Sequence, residues 1–111
     1  MTLEKPKRHV DQELLDKYRR RSCDVCGNFP SDPSHIRSRG AFGDDVDDNL
    51  MSLCRQHHSE QHQIGHFKMS RKYPFYGQIL AQKNWVFNGE KQLRRADGHY
   101  TVFNSYPTGK L

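Results

Sequence analysis

The sequence predicts a small cross-linked α+β domain. Three observations predict it. Hydrophobic residues make up only 33% of 111 residues, and the mean hydropathy is -1.02. A chain this short and this polar buries a modest core, so a metal or other cross-link supplies what packing lacks. Cys and His fall in two paired clusters, and short apolar runs are separated by Gly, Pro and Asn turn signals. One domain is expected over residues 11–111, preceded by a basic, mobile arm over residues 1–10 that carries Lys5, Pro6, Lys7 and Arg8.

Taken in order, Asp11–Arg21 reads as a helix. Leu14, Leu15 and Tyr18 fall at helical spacing, and Lys17, Arg19, Arg20 and Arg21 load the C-terminal end, where the helix dipole favours positive charge. Ser22–Gly27 is a tight Cys-x-x-Cys turn, and Asn28–Ser34 a loop with Pro30 and Pro33. A short strand is predicted over His35–Arg39, a polar loop over Gly40–Asp48 and a second strand over Leu50–Leu53. A helix comes next, from about Arg55 to Gln63, with Gly65 placed to stop it. Another is predicted over Tyr76–Lys83. Asn88-Gly89 and Asp97-Gly98 then separate Trp85–Phe87, Lys91–Arg95 and His99–Phe103, a pattern that suits a small antiparallel meander.

Cys23-Asp-Val-Cys26 and Cys54-Arg-Gln-His57 are two chelating pairs with the same spacing. Zn(II) takes four ligands in a tetrahedron and favours thiolate and imidazole. Three sulfurs and one nitrogen close that shell as a structural zinc, and the odd cysteine count is explained. A disulfide framework fits an odd count poorly. Met1–Val10 lacks the apolar core of a signal peptide, and no apolar run is long enough to cross a membrane. A reducing cytoplasm is the expected compartment.

His57, His58, His62 and His66 lie close together in the chain. On a helix His58 and His62 share a face, and His57 lies about 100° from His58. Adjacent histidines can therefore serve two sites. Either His58 and His62 form a second metal site, or the helix is a solvated polar one that happens to be rich in His.

The run Cys23-x-x-Cys26, Asp32-Pro-Ser-His35-Ile36, Asp48-Asn49-Leu50 and Leu53-Cys54-x-x-His57-His58 resembles the zinc-containing HNH endonucleases, especially small bacteriophage-encoded members. The resemblance covers about residues 23–65. It implies a ββα-metal core and a cytoplasmic protein of a bacterial host, encoded by phage or prophage. It also implies His35 as general base, Asn49 as the residue that holds the inter-strand loop, and His58 with His62 on a catalytic divalent ion: Mg(II), Mn(II), Ni(II) or Zn(II). One position departs. Ser34 stands where many members carry a His or Asp ligand, which leaves either a thinner metal shell or an oxygen from Asp32, Asp44 or Asp45.

The formal charge is +5 and the pI about 9.3, which suits an anionic partner. With the motif, that partner is DNA. Expected contacts are Arg37 and Arg39, which would share a face with His35 on a strand, then Arg19, Arg20 and Arg21, then Lys68, Arg71 and Lys72, together with the arm and Arg94 and Arg95. Each cluster is equally a solvated surface when taken alone. No segment reads as a base-reading helix, so low sequence specificity is expected. A zinc-knuckle binding module without catalysis is the alternative, but it gives His35, Asn49, His58 and His62 no role. A zinc-stabilised protein-interaction domain is a third reading. The oligomeric state is left open.

Overall fold

The computed structural model describes residues 8–96. Helix α1 spans Gln12–Arg19. It starts where the Asp11 carboxylate accepts the Leu14 N–H at 3.1 Å and is capped at its end by Arg20, so it is one residue inside the expected limit at the start and two at the end. Leu15 and Tyr18, one turn apart, are its buried residues.

Strand β1 is Ser31–His35, not the expected His35–Arg39. It pairs antiparallel with β2, Leu50–Cys54, from Ser31↔Cys54 to His35↔Leu50. Pro33 is tolerated because β1 has a partner on one side only. Past His35 the chain leaves the ladder, because the Asn49 side chain takes both backbone groups of Arg37. Arg39–Ala41 is then a 3-10 turn capped by Ser38. Arg37 and Arg39 therefore do not alternate with His35 on a strand.

β2 lies at the centre of the molecule, with Leu50, Met51, Ser52 and Leu53 all buried. Successive side chains point to opposite faces. Leu50 packs with Leu15 and Tyr18 of α1. Met51 and Leu53 enter the main core with Cys23, Ile36, Met69, Tyr76, Leu80 and Trp85.

Helix α2 covers Arg55–Lys72 and is interrupted at Gly65, where φ is 84° and ψ is 168°. The sequence places a helix end at Gly65; instead a second helical segment continues past the kink. The reason is Met69, fully buried in the main core, which holds that segment against the domain. Helix α3 is Pro74–Gln82, slightly earlier than expected, with Pro in its first turn, where no N–H is missed. β3 (Trp85–Phe87) and β4 (Leu93–Arg95) form the C-terminal hairpin. The Asn88 side chain closes its turn by accepting the N–H groups of Glu90 and Gln92. The expected third strand, His99–Phe103, lies outside the described residues. The outcome is a small α+β fold with three helices and two small sheets among the described residues.

Candidate metal centre and active site

The knuckle turn of residues 23–28 is closed by two backbone bonds, Gly27 N–H to Cys23 O at 2.8 Å and Cys23 N–H to Asn28 O at 2.9 Å. It is stitched to β2 by Asp24, whose N–H reaches Ser52 O at 2.7 Å and whose carboxylate accepts the Ser52 N–H at 2.8 Å. Cys54 and His57 then enter from the junction of β2 and α2. The ligand atoms of Cys23, Cys26, Cys54 and His57 lie within 4.8 Å of one another, a set that could hold zinc. Cys26 Sγ is 3.8 Å from Cys54 Sγ, and His57 Nδ1 is 3.1 Å from Cys54 Sγ and 3.7 Å from Cys23 Sγ. Ligands on tetrahedral zinc would stand about 3.8 Å (S···S) and about 3.6 Å (S···N) apart, which the 3.8 Å and 3.7 Å separations match, while the 3.1 Å pair would open around the ion. Burial pushes the Cys23 thiol up. Backbone hydrogen bonds from Cys54, Cys26 and Val25, with His57, more than offset this and bring it down to about 7. At Cys23 the surroundings thus favour the thiolate that zinc requires, whereas at Cys26 the Asn28 backbone hydrogen bond is outweighed by burial and the neighbouring Cys23 and Cys54 thiols, which push it up.

A different space opens on the α1 side of the β1–β2 pair. It is a pocket of about 450 Å³ lined by Leu15, Arg19, Asp32, Pro33, His35, Ser38, Arg39, His58 and His62. His58 and His62, one helical turn apart, bring their Nε2 atoms to 3.3 Å. Two nitrogens on one divalent ion stand about 3.0–3.4 Å apart, so this pair fits two adjacent coordination positions. His58 Nδ1 faces Asp32 Oδ2 at 3.4 Å, and Arg55 holds the same oxygen at 3.2 Å. A carboxylate behind the far nitrogen of a metal-binding imidazole is a recurring support for such a ligand. A similar volume, about 480 Å³, runs along the outer face of α1, but its lining of Asp11, Glu13, Leu14, Asp16, Lys17 and Arg20 offers no imidazole or thiol.

His35 ends β1 at the pocket wall. Its Nε2 is 2.7 Å from Asp45 Oδ1, and its side chain is only 10% exposed. Burial lowers its pKa, Asp45 offsets part of this, and Arg8 and Arg39 reinforce the lowering, so the net direction is downward from 6.5. This direction favours the neutral ring at pH 7. Asn49 is fully buried. Its Oδ1 accepts the Arg37 N–H at 2.7 Å, and its Nδ2 donates to Arg37 O at 3.1 Å and Asp44 O at 3.0 Å. Asn49 O accepts the Ile36 N–H. One side chain thus ties Arg37, two residues past His35, to Asp44, the neighbour of Asp45. Gly43 closes that loop: a Cβ there would lie 1.7 Å from Arg37 O.

Asp44 and Asp45 are fully buried and do not line the pocket. Neither therefore stands in the pocket as the expected oxygen donor: Asp45 is engaged by the N-terminal segment and His35, and Asp44 by the N-terminal segment through Oδ1 alone, its Oδ2 being buried without a hydrogen-bond partner. Asp44 Oδ1 accepts the His9 N–H. Asp45 accepts Arg8 at 2.8 Å and the Asp11 N–H at 2.9 Å, in addition to facing His35. The expected mobile arm is therefore docked at Arg8 and His9, and its first seven residues lie outside the described chain.

Ser34 is fully buried and points away from the pocket, on the other face of β1 from His35. Its hydroxyl donates to Gln61 Oε1 at 2.9 Å, and Gln61 Nε2 donates to Tyr76 Oη at 2.8 Å. Tyr76 Oη meets His66 Nδ1 at 2.6 Å, and His66 Nε2 meets Ile36 O at 2.8 Å. Every member has a partner when His66 is neutral and protonated on Nε2. Burial, the main cause, holds its pKa below 6.5, in agreement with that state. His66 is thus tied into this network and does not line the pocket.

Among the predicted DNA contacts, the structure brings Arg19 and Arg39 to the pocket. Arg19 is paired with Asp16 at 2.6 Å. Arg37 is half-buried with its backbone clamped by Asn49. Arg20 lines the outer groove of α1, and Arg21 lies over the Tyr18 ring and reaches Asp24 at 3.3 Å. Lys68, Arg71 and Lys72 are exposed on the second segment of α2, away from the pocket lining, and Lys72 pairs with Glu60 at 2.5 Å.

Among the described residues no helix is long and apolar enough to cross a membrane. A family model described as "Putative HNHc nuclease" matches residues 7–87. No curated protein and no solved structure matches the chain.

Proposed function

Because the chain belongs to this HNHc nuclease family, we propose that it is a metal-dependent DNA endonuclease that hydrolyses phosphodiester bonds with low sequence specificity. The observation that carries the reading is one pocket lined by His35, His58, His62 and Asp32 in which two imidazole nitrogens stand 3.3 Å apart. His58 and His62 would hold the catalytic ion, Mg(II), Mn(II), Ni(II) or Zn(II). Such an ion relieves charge on the phosphate and on the leaving oxygen. His35 is the general base. Its Nε2 is engaged by Asp45, so Nδ1 is left to take the proton of the attacking water, and a neutral imidazole suits that task. Asn49 holds the loop that keeps the base in place. Arg19 and Arg39 at the pocket rim grip neighbouring phosphates, a contact that reads charge and not base identity. The remaining basic clusters, Arg20, Arg21, Lys68, Arg71 and Lys72, extend the electrostatic footprint. Zinc on Cys23, Cys26, Cys54 and His57 is structural. In this reading the protein works in the reducing cytoplasm of a bacterial host, encoded by phage or prophage.

The test is nicking of supercoiled plasmid with and without each metal, beside His35→Ala. Metal-dependent nicking that falls by about 100-fold or more in the variant is expected. The acid limb of the wild-type rate should lie below pH 6.5, because activity is lost as His35 protonates through a pKa held below that value. Equal cleavage by both proteins contradicts the base assignment, and DNA binding without cleavage under any metal favours a non-catalytic binding module.

A further inference from the structure

Asp45 is a fully buried carboxylate with no apolar reason to be there. Four bonds fix it. Oδ1 faces His35 Nε2 at 2.7 Å and accepts Arg8 Nη1 at 2.8 Å, Oδ2 accepts the Asp11 N–H at 2.9 Å, and its own N–H donates to His9 O at 2.9 Å. Three of these partners belong to the segment ahead of α1, so that segment and His35 converge on one carboxylate. We propose that Asp45 is the positioning residue for His35: its Oδ1 accepts the Nε2 proton and fixes the ring in the tautomer whose Nδ1 lone pair meets the attacking water. This rests on the endonuclease reading of the pocket.

The chemistry favours an ionised Asp45. Burial pushes its carboxyl up, but the bonds from His35, Arg8 and the Asp11 N–H outweigh burial and hold it below 3.8. An ionised carboxylate only accepts, so the proton between the two groups belongs to His35 Nε2. The other charged groups facing His35 are Arg8 from the N-terminal segment and Arg39 beyond β1. Asp32, His58, His62 and Arg19 line the same pocket. Of the carboxylates, Asp45 is the one at Nε2, whereas Asp32 is turned to His58 and Arg55. Arg8, with its side chain 14% exposed, closes the assembly from outside. The segment expected to be a loose arm is therefore the outer support of the base.

The experiment is imidazole ¹H–¹⁵N spectroscopy of the full chain, paired with plasmid nicking. Wild type should show His35 protonated on Nε2, with that proton exchanging slowly. In Asp45→Ala the proton should exchange freely, and kcat should fall by about 10–100-fold with KM within about threefold. Arg8→Gln should keep the Nε2 proton and lose a few-fold in rate. A folded, zinc-bound Asp45→Ala with wild-type kcat and a protected Nε2 proton overturns the proposal. If that variant does not fold, the wild-type spectrum decides, since a His35 protonated on Nδ1 overturns it equally. The two readings fail separately. Cleavage by His35→Ala at the wild-type rate removes the base, whereas the wrong tautomer removes only the role of Asp45.

Discussion

His57 and His58 are neighbours on one helix, yet they face two different groups of residues. His57 is 8% exposed and turns into the Cys23, Cys26, Cys54 cluster, where four ligands converge within 4.8 Å. His58 turns to the opposite side, where its Nε2 meets that of His62 at the edge of an open pocket. A closed set of four N/S ligands is the mark of a structural zinc, and an open set the mark of a catalytic ion. The same elements, β1, β2 and the start of α2, feed both. In the proposed reading, zinc in the knuckle would cross-link a chain too polar to rely on its core, and so steady the pocket on the other side of the sheet.

The largest effect that would separate the two regions is removal of the structural metal. Binding energy at such sites is folding energy, about 10–16 kcal/mol in small zinc domains. A strong chelator should therefore abolish the thermal transition seen by circular dichroism, and one zinc per chain should restore it. A chain that stays folded without zinc would erase the distinction between the two sites.

A smaller effect sharpens the boundary. Ser34 belongs to neither metal region, because its hydroxyl is spent on Gln61 in the buried chain to Tyr76 and His66. Ser34→Ala should cost about 1–3 kcal/mol by leaving Gln61 Oε1 unpaired. The metal dependence of cleavage should not move. Thermal melts and metal titrations of activity check both halves.

The smallest effect lies at the rim. Arg39 is exposed beside His35, so Arg39→Ala should raise KM a few-fold and reduce the slope of log affinity against log salt by about 1. Stability should hold. DNA-binding isotherms at several salt concentrations would show it.

How much of the molecule is legible in the chain depends on the range of the interactions. The two chelating pairs, the apolar run of β2 and the Trp85–Phe87 strand are local patterns, and each appears where its spacing places it. Gly65 signals a break correctly, but the helical segment beyond it depends on Met69 finding a distant core. The position of β1 is hidden because Pro33 argues against a strand, and only its pairing with Ser52 makes the assignment visible. The support of His35 is hidden for the same reason. Asp45 lies ten residues on, in a loop whose acidic run also reads as solvated, and Arg8 is far upstream. No spacing rule links three residues joined only by tertiary structure. A buried Asp pair in a glycine-bounded loop becomes informative once burial is known.

The most direct measurement compares His57→Ala with His58→Ala, reading zinc content, melting temperature and plasmid nicking on each. His57→Ala should lose zinc and melt far lower. His58→Ala should keep one zinc and the wild-type melting temperature but lose metal-dependent nicking. Equal loss of zinc and stability in both variants, or full nicking by His58→Ala, would contradict the assignment of these two histidines to two sites.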